Sequence, residues 1–343
     1  MAGMKTKGIL YPLVGLDLGS QSIKAVAISG KKDKYNVVSC AEVPTPAGTI
    51  EDGVIKDQGK LELALRDLIK ELSSKPKFVA TSVSGTRVTT KIIDTDAKMS
   101  DSQLSEFVEE QAESILAGDK HFDYEVLRQE GEKNKVLMSV VSSDIVDDRV
   151  SVLSQLSIQV KVMDVSVHAL TRAVRSVVSD TVLKSGKRVA ILDIGATTLS
   201  FAVLDEELEV VYQRVMPGGG NTLTENISAA TGMDTETAEV MKVEDRIPEQ
   251  SRGVEDQYIN SVIRNLERFA GTCGYRDIDT IVVTGGGAKL KRLQNQLRST
   301  SQQKRVIIPD MSRIMKPGSR PDDGLKYMTA LGLALRSFVP CPI

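Results

Sequence analysis

Two apolar stretches with the same pattern, one near the start of the chain and one past its middle, dominate the distribution of hydrophobic positions. Residues 13–18 and 189–194 are almost wholly apolar apart from one aspartate in each, which is typical of buried strands. Each stretch ends in Asp-x-Gly, followed by small polar residues and a second apolar run. The pattern predicts two β-hairpins with polar tips, within residues 13–28 and 189–204.

The hairpin tips have a chemistry suited to phosphate. Glycine permits backbone angles at which successive N–H groups converge on an anion. An aspartate beside a phosphate needs a cation between them, and Mg²⁺ is commonly held by one or two carboxylates together with phosphates. A single Asp-x-Gly is most often an ordinary tight turn. Two of them in matching strand contexts favour a pair of loops that clamp the phosphates of a nucleotide between two halves of the protein.

The first half of the chain continues beyond its hairpin and then departs from that plan. A strand, an amphipathic helix and another strand are predicted at Tyr35–Val43, Leu61–Leu72 and Lys77–Val83. Residues 87–160 predict a strand, a helix, two strands and a helix, which is close to a split ferredoxin-like unit. The first helix of this segment, Asp101–Leu116, has Asp101 as its predicted N-cap.

The second half repeats the plan of the first. Its predicted elements are strands Arg188–Ile194, Leu199–Leu204 and Leu208–Met216, helices Thr222–Ala230 and Thr235–Val243, strand Thr280–Thr284 and a closing helix Gly324–Phe338. The strand before Gly285–Gly287 runs directly into these three glycines, and a helix follows them. A glycine turn between strand and helix lets the backbone approach a ligand closely, although a plain tight turn is the competing interpretation.

Composition excludes several classes of function. The net charge of −2, the 4% of aromatic residues and the absence of tryptophan argue against nucleic-acid binding. Cys40, Cys273 and Cys341 have no metal-binding or redox spacing, which favours a reducing compartment. Met1–Lys7 lacks the apolar core of a signal peptide, and no apolar run approaches the roughly 20 residues that span a bilayer. We therefore expect a cytoplasmic protein.

The two Asp-x-Gly hairpins, the Gly-Gly-Gly turn and the late Ala-Leu-Gly-Leu-Ala helix, in this order, resemble the actin-like ATPase superfamily. The resemblance implies an α/β, two-lobed actin-like fold with a duplicated RNase H-like core. The insertion at 87–160, rather than between Pro44 and Lys60, is similar to the FtsA-like branch and to the PilM family of type IV pilus assembly proteins. The stretches that look specifically like the pilus family are Gly15–Val26, Gly53–Asp57, Val83–Gly85, Asp193–Thr198 and Gly332–Phe338.

The resemblance also implies a domain organisation. Residues 1–86 and 161–182 form the first actin-like lobe, and residues 87–160 form an α+β subdomain inserted into it. The second lobe covers residues 183–324, and a C-terminal helix at 325–343 returns to the first lobe.

The same resemblance implies a site for ATP or ADP with Mg²⁺. The first phosphate loop comprises Asp17, Gly19, Ser20, Gln21 and Ser22, and the second comprises Asp193, Gly195, Ala196, Thr197 and Thr198. Asp17 and Asp193 reach Mg²⁺ through water. Gly218, Gly219 and Asn221 lie beside the nucleotide, and Glu239 and Lys242 embrace its ribose and adenine. Gly285, Gly286, Gly287 and Lys289 line the other side of the base. Two ordinary interpretations compete: Glu239 and Lys242 as a solvent-exposed helix pair, and Lys24 as a surface lysine.

One departure from the superfamily concerns hydrolysis. In hydrolytic relatives a Glu or Gln orients the attacking water, and the corresponding position here is Ser166. Serine cannot act as a carboxylate base. We therefore expect nucleotide binding with at most slow ATPase activity.

The expected function is that of an ATP-binding scaffold in the type IV pilus platform, at the cytoplasmic face of the inner membrane. The resemblance implies that it binds the N-terminal cytoplasmic tail of a PilN-like membrane protein, where the insertion meets the first lobe near Phe107 and Val108. Pilus motor ATPases and further copies of the chain are candidate partners. An FtsA-like division scaffold is disfavoured because Val339–Ile343 cannot form a membrane-targeting helix. A type II secretion component and a small-molecule kinase of the same fold are two further candidate functions.

Overall fold

The computed structural model describes residues 12–31, 34–183, 187–272, 278–300, 304–315 and 324–338. Met1–Lys7, Cys273, Cys341 and Val339–Ile343, on which some expectations rested, lie outside the described residues. The chain divides into two compact units. Of the described residues, the first unit holds those within 12–172, 314–315 and 329–338, and the second holds those within 173–313 and 324–328.

The first unit is built on a five-stranded sheet. All the strands of this unit, in chain order, are β1 (Val14–Leu18), β2 (Ser22–Lys31), β3 (Lys34–Pro44), β4 (Ile50–Glu51), β5 (Val54–Ile55), β6 (Phe78–Val83), β7 (Thr89–Asp96), β8 (Lys120–Glu130), β9 (Lys133–Ser142) and β10 (Gln159–Val165). Its helices are α1 (Gln58–Glu71), α2 (Asp101–Ile115), α3 (Ser143–Gln155) and α4 (Ser166–Val177), and the division between the units falls within α4.

The second unit begins with the rest of α4. The elements after it are α5 (Asp180–Leu183), β11 (Arg188–Ile194), β12 (Thr198–Leu204), β13 (Val210–Pro217), α6 (Gly220–Thr231), α7 (Thr235–Val243), α8 (Arg252–Thr272), β14 (Ile278–Thr284), α9 (Lys291–Thr300) and β15 (Arg305–Ile307). The chain then crosses back to the first unit within α10 (Met328–Ala334).

Each unit contains a five-stranded sheet, and the two sheets have the same topology. The strand order is β3-β2-β1-β6-β10 in the first and β13-β12-β11-β14-β15 in the second. In each sheet the first three strands of the unit are antiparallel neighbours, and the last two strands lie parallel on the other side of the first. The predicted α/β fold with a duplicated core is therefore confirmed, because two sheets of identical topology follow one another along the chain.

The insertion is a small antiparallel sheet of order β7-β9-β8, covered on one face by α2. Val136, Met138 and Val140 alternate along β9 and pack against Leu104 and Val108 of α2. The predicted N-cap at Asp101 is wrong. Ser100 is the N-cap, since its side chain accepts from the Gln103 N–H and the Gln103 side chain accepts from the Ser100 N–H.

Helix α3 was predicted as the last element of the insertion, but its buried side chains lie in the first lobe. Val152 and Leu153 belong to the apolar core formed by β1, β2 and α1. Amphipathic periodicity predicts that a helix buries one face, and it does not predict which sheet that face meets. We therefore propose Ser142 as the end of the inserted subdomain, instead of residue 160.

The main chain of α10 is in close contact with the main chain of the first lobe. A Cβ on Gly15 of β1 would stand 1.9 Å from the Ala330 carbonyl oxygen, and one on Gly332 would stand 1.7 Å from that of Ala169. Only glycine allows such an approach. The predicted closing helix, Gly324–Phe338, is interrupted: α10 is flanked by the 3-10 turns Leu325–Tyr327 and Leu335–Ser337. In the part of the chain that the structure describes, no helix is long and apolar enough to cross a membrane.

Candidate functional site

An ion pair lies next to the glycine-containing tip of the first hairpin. Asp17 lies directly across from Lys24 in the β1–β2 register, with 3.8 Å between Asp17 Oδ2 and Lys24 Nζ. Burial raises the pKa of Asp17, and the charge of Lys24 opposes that rise. The Lys24 side chain is only 12% exposed and also donates to the Ser22 carbonyl. The interpretation of Lys24 as a surface lysine is therefore wrong.

Thr45 fixes the shape of this tip and was missed by the sequence analysis. Its hydroxyl donates to the Gly19 carbonyl at 2.6 Å, and its backbone N–H donates to the Gln21 carbonyl at 3.0 Å. A Cβ on Gly19 would lie 2.7 Å from the Ser22 carbonyl oxygen, so the turn requires glycine there. The only signal in the sequence is the position of Thr45 between two prolines that end β3.

The second hairpin has the same construction. Ser22 pairs with Pro44 in the first sheet, and Thr198 pairs with Pro217 in the second. The residue after each proline then donates its backbone N–H to the tip: Gly218 donates to the Thr197 carbonyl at 3.2 Å, as Thr45 does to Gln21. The start of α6 is joined to the same tip by three further backbone bonds, from Gly219 to Thr197, from Gly220 to Gly195 and from Asn221 to Ala196.

The triple-glycine turn after β14 lies against the second tip. A Cβ on Gly285, which has φ +83°, would stand 2.5 Å from the Ile194 carbonyl oxygen and 2.7 Å from Asp193 Oδ1. One on Gly287 would stand 2.2 Å from Ile194 Cγ2, whereas Gly286 has open space around it. Gly285 and Gly287 therefore allow the turn to approach the second tip closely, and Gly286 is not needed for this contact. Lys289, at the end of this turn, is exposed.

Glu239 and Lys242 are not a solvent-exposed pair. The Lys242 ammonium donates to the Gly220 carbonyl at 3.1 Å, to the Thr224 hydroxyl at 2.7 Å and to Glu239 Oε2 at 2.5 Å. The Thr224 hydroxyl also bonds the same carboxylate oxygen. These contacts join α7 to the first turns of α6. Thr224 was missed because nothing in its sequence spacing shows that it faces the neighbouring helix.

Ser166 is the first residue of α4 and is partly buried. It follows β10, whose Asp164 lies level with Ser82 of β6. The Asp164 carboxylate is buried and paired with Arg172 at 2.8 Å, so it is held away from acid–base work. The role of Ser166 at the water-orienting position stays a prediction.

The residues fit a nucleotide better than they fit a metal alone. Among the residues that the structure describes, no group of three or more His, Cys, Asp or Glu could hold a metal ion. A magnesium ion bound with phosphate needs only one or two carboxylates, often through water, and each hairpin tip offers one aspartate. In the second unit the tip, the start of α6, the triple-glycine turn and the Glu239–Lys242 pair are brought together by the contacts above.

The family model described as type IV pilus assembly protein PilM matches residues 15–338. The chain belongs to the PilM family. Its fold is similar to a chain of the PilM–PilN type IV pilus biogenesis complex, with a TM-score of 0.84 and 24% identity over 96% of this chain and 100% of that one. The resemblance to the pilus assembly family is confirmed.

Two more distant structures share the fold of this PilM family member. The ethanolamine utilization protein EutJ from Carboxydothermus hydrogenoformans has a TM-score of 0.58 and 18% identity, over 95% of this chain and 92% of that one. MreB5 of Spiroplasma citri, solved with AMPPNP, has a TM-score of 0.52 and 12% identity, over 94% of each chain. The actin-like fold is thus shared well beyond the pilus family.

We expect Thr45→Val to loosen the first tip. The change keeps the shape of the side chain but leaves the half-buried Gly19 carbonyl without the hydroxyl donor, a loss of about 0.5–1.5 kcal/mol. Urea unfolding measures the loss, and the backbone amide NMR shifts of Gly19–Ser22 report the tip directly. Thr45→Ser retains the donor and should leave those shifts in place. Unaltered shifts in Thr45→Val would show that the hydroxyl does not shape the loop.

Proposed function

We propose that this protein is an ATP-binding scaffold of the type IV pilus assembly platform, acting at the cytoplasmic face of the inner membrane. The observation that carries the nucleotide part is the repetition of one hairpin tip at equivalent positions of two sheets with the same topology. Family membership carries the pilus part. The solved PilM–PilN complex supports a PilN-like membrane protein as the partner of this chain.

The two tips would bind the phosphates of ATP or ADP, with Asp17 and Asp193 holding Mg²⁺ through water. The bound ion would offset the negative charge of the phosphates beside the two carboxylates. Glu239 and the triple-glycine turn would flank the sugar and base. The AMPPNP bound to MreB5, a protein of the same fold, supports a nucleotide as the ligand. Lys24, which pairs with Asp17, would contribute a positive charge on the phosphate side of the first tip.

Three competing functions fit the observations less well. The family match favours pilus assembly over an FtsA-like division scaffold or a type II secretion component. A small-molecule kinase on this fold would need an aspartate base near the transferred phosphate, and Asp164, close to Ser166, is paired with Arg172. Pilus motor ATPases and further copies of the chain remain partners that we propose from the family resemblance.

We expect Mg-ATP to stabilise the protein, because a ligand that binds only the folded state adds about 2.7 kcal/mol at a hundredfold excess over Kd. Thermal melting of nucleotide-free protein with Mg-ATP, and with ATP plus EDTA, measures this. Asp17→Asn and Asp193→Asn should each remove most of the difference between the two conditions. Asp94→Asn, an exposed aspartate of β7, is the matched control. Equal melting with and without Mg-ATP in wild-type protein would contradict the nucleotide proposal.

We expect hydrolysis to be slow, since Ser166 offers no carboxylate to orient water. Steady-state phosphate release should lie far below the roughly 10 s⁻¹ median of enzymes. Ser166→Glu should raise the rate, whereas Ser166→Gly should leave it unchanged. A wild-type rate near that median would favour an enzyme over a scaffold.

We propose the sheet face of the insertion that is turned away from α2 as the surface for an extended peptide. The strand register places Ile92, Leu137 and Glu125 on that face. Val108 cannot serve the peptide as expected, because it is wholly buried against β9 in the core of the insertion.

We propose that the PilN-like tail binds between this face and the first lobe, where extended segments can fill apolar pockets or add to a sheet edge. A fluorescently labelled tail peptide should bind the wild-type chain and a chain with both Asp17→Asn and Asp193→Asn. Replacing residues 89–141 by a short Gly-Ser linker should abolish binding while Mg-ATP binding persists. Retained tail affinity in that deletion variant would place the binding site elsewhere.

A further inference from the structure

Arg149 of α3 is buried at the place where the chain leaves the first lobe for the insertion and returns from it. We call residues 83–88 and 141–145 the insertion root. The guanidinium donates to the Ser82 carbonyl at 3.1 Å, to the Ile145 carbonyl at 2.7 Å and to the Gly53 carbonyl at 2.6 Å. The bond to Ile145 stays within α3, and the other two join α3, which directly follows β9, to the end of β6 and to the turn between β4 and β5.

The bonding of Arg149 is unusual for a buried charge. The side chain is wholly inaccessible, and within the described ranges no carboxylate lies at ion-pair distance from it. Desolvation lowers the pKa of Arg149 to about 10, so it remains charged at neutral pH. Buried charges are costly unless hydrogen bonds compensate them. Here main-chain carbonyls supply the compensation, and a planar guanidinium is the side chain that can reach three of them at fixed angles.

The backbone of the β4–β5 turn is also in close contact with the backbone of the first root segment, residues 83–88. A Cβ on Gly53, with φ +75°, would stand 2.1 Å from the Ser84 carbonyl oxygen, and one on Gly85, with φ +97°, would stand 2.4 Å from the Asp52 carbonyl oxygen. Asp52 Oδ1 accepts from the Thr86 N–H at 2.9 Å, and Oδ2 accepts from the Thr86 hydroxyl at 2.5 Å. The turn therefore holds residues 84–86, the part of the root that leads into the insertion.

The root also has an apolar contact, besides the bond from the Ser143 N–H to the Asp119 carbonyl at 3.1 Å. Val83 and Val141, the first residues of the two root segments, pack in one buried cluster with Val54, Ile145 and Val165. Apolar packing excludes water from the root but does not fix a direction, whereas hydrogen bonds do. Arg149, which fixes α3 directly after β9, and the Asp52–Thr86 contact, which holds the chain before β7, are two directional contacts between the root and the first lobe.

We propose that Arg149 is a positioning residue, which fixes the insertion against the first lobe and so sets the width of the surface that receives an extended segment. The proposal about that surface rests on the proposed function above. The proposal about orientation rests on the contacts alone, and it is tested on the chain without any partner.

The first measurement is the distance between the insertion and the lobe. Spin labels at Glu110 of α2 and Lys70 of α1, both exposed, are introduced as cysteines after the native cysteines are replaced by serine. Arg149→Lys keeps the charge but loses the planar fork, and we expect a broader distance distribution in pulsed EPR. Asp52→Gly tolerates the positive φ of 46° and should broaden it too, which keeps the test valid if Arg149→Lys fails to fold. Arg66→Lys, an exposed arginine of α1 bonded to Glu62, is the control.

The second measurement is the affinity of the labelled PilN-like tail peptide. Arg149→Lys and Asp52→Gly should each weaken it about tenfold. Mg-ATP affinity should change less than tail affinity in Arg149→Lys, because lysine keeps the positive charge that acts on Asp17. A distribution as narrow as wild type in folded variants would overturn the proposal. So would a broadened distribution with unchanged tail affinity. If the wild-type chain binds no tail, the proposed function fails, and the EPR result still decides whether Arg149 positions the insertion.

Discussion

The hydrogen bonds from the end of the third strand to the hairpin tip are the interaction on which the candidate site depends. In each unit the residue after a proline bonds back to the tip, Thr45 to Gln21 and Gly218 to Thr197. A turn that contains glycine has many accessible conformations. Bonding it to a neighbouring strand selects one of them before any ligand arrives, which reduces the ordering cost of binding. The duplicated sheet provides this bracing twice with the same register.

The two tips nevertheless differ in the residue that faces each aspartate. Asp17 faces Lys24 across the first hairpin, whereas Asp193 faces Ser200 across the second. The Lys24 ammonium partly neutralises Asp17, so a cation that approached this carboxylate would compete with the chain's own positive charge. The duplication therefore supplies two matching backbone shapes with different cross-strand neighbours.

The sequence predicted the backbone plan well and the side-chain contacts poorly. Helix Thr235–Val243 was predicted at its observed bounds, and both hairpins and the triple-glycine turn lie where periodicity and glycine placed them. Such features depend on local spacing. Lys24, Thr45 and Arg149 were not recognised because their roles depend on which distant carbonyl or carboxylate they meet. Our proposal to move α3 out of the insertion has the same origin, since an amphipathic pattern does not identify the surface that a helix covers.

The contact between Gly15 and Ala330 has a consequence for the order in which the protein folds during synthesis. The first lobe buries β1 under a helix made more than 300 residues later, and the Leu13 N–H is paired with the Ser337 hydroxyl across 324 positions. Domains generally fold as units while the chain emerges from the ribosome. The sheet of the second unit is complete by β15, so it can close first. The lobe that is translated first can therefore be completed only after α10 has been made.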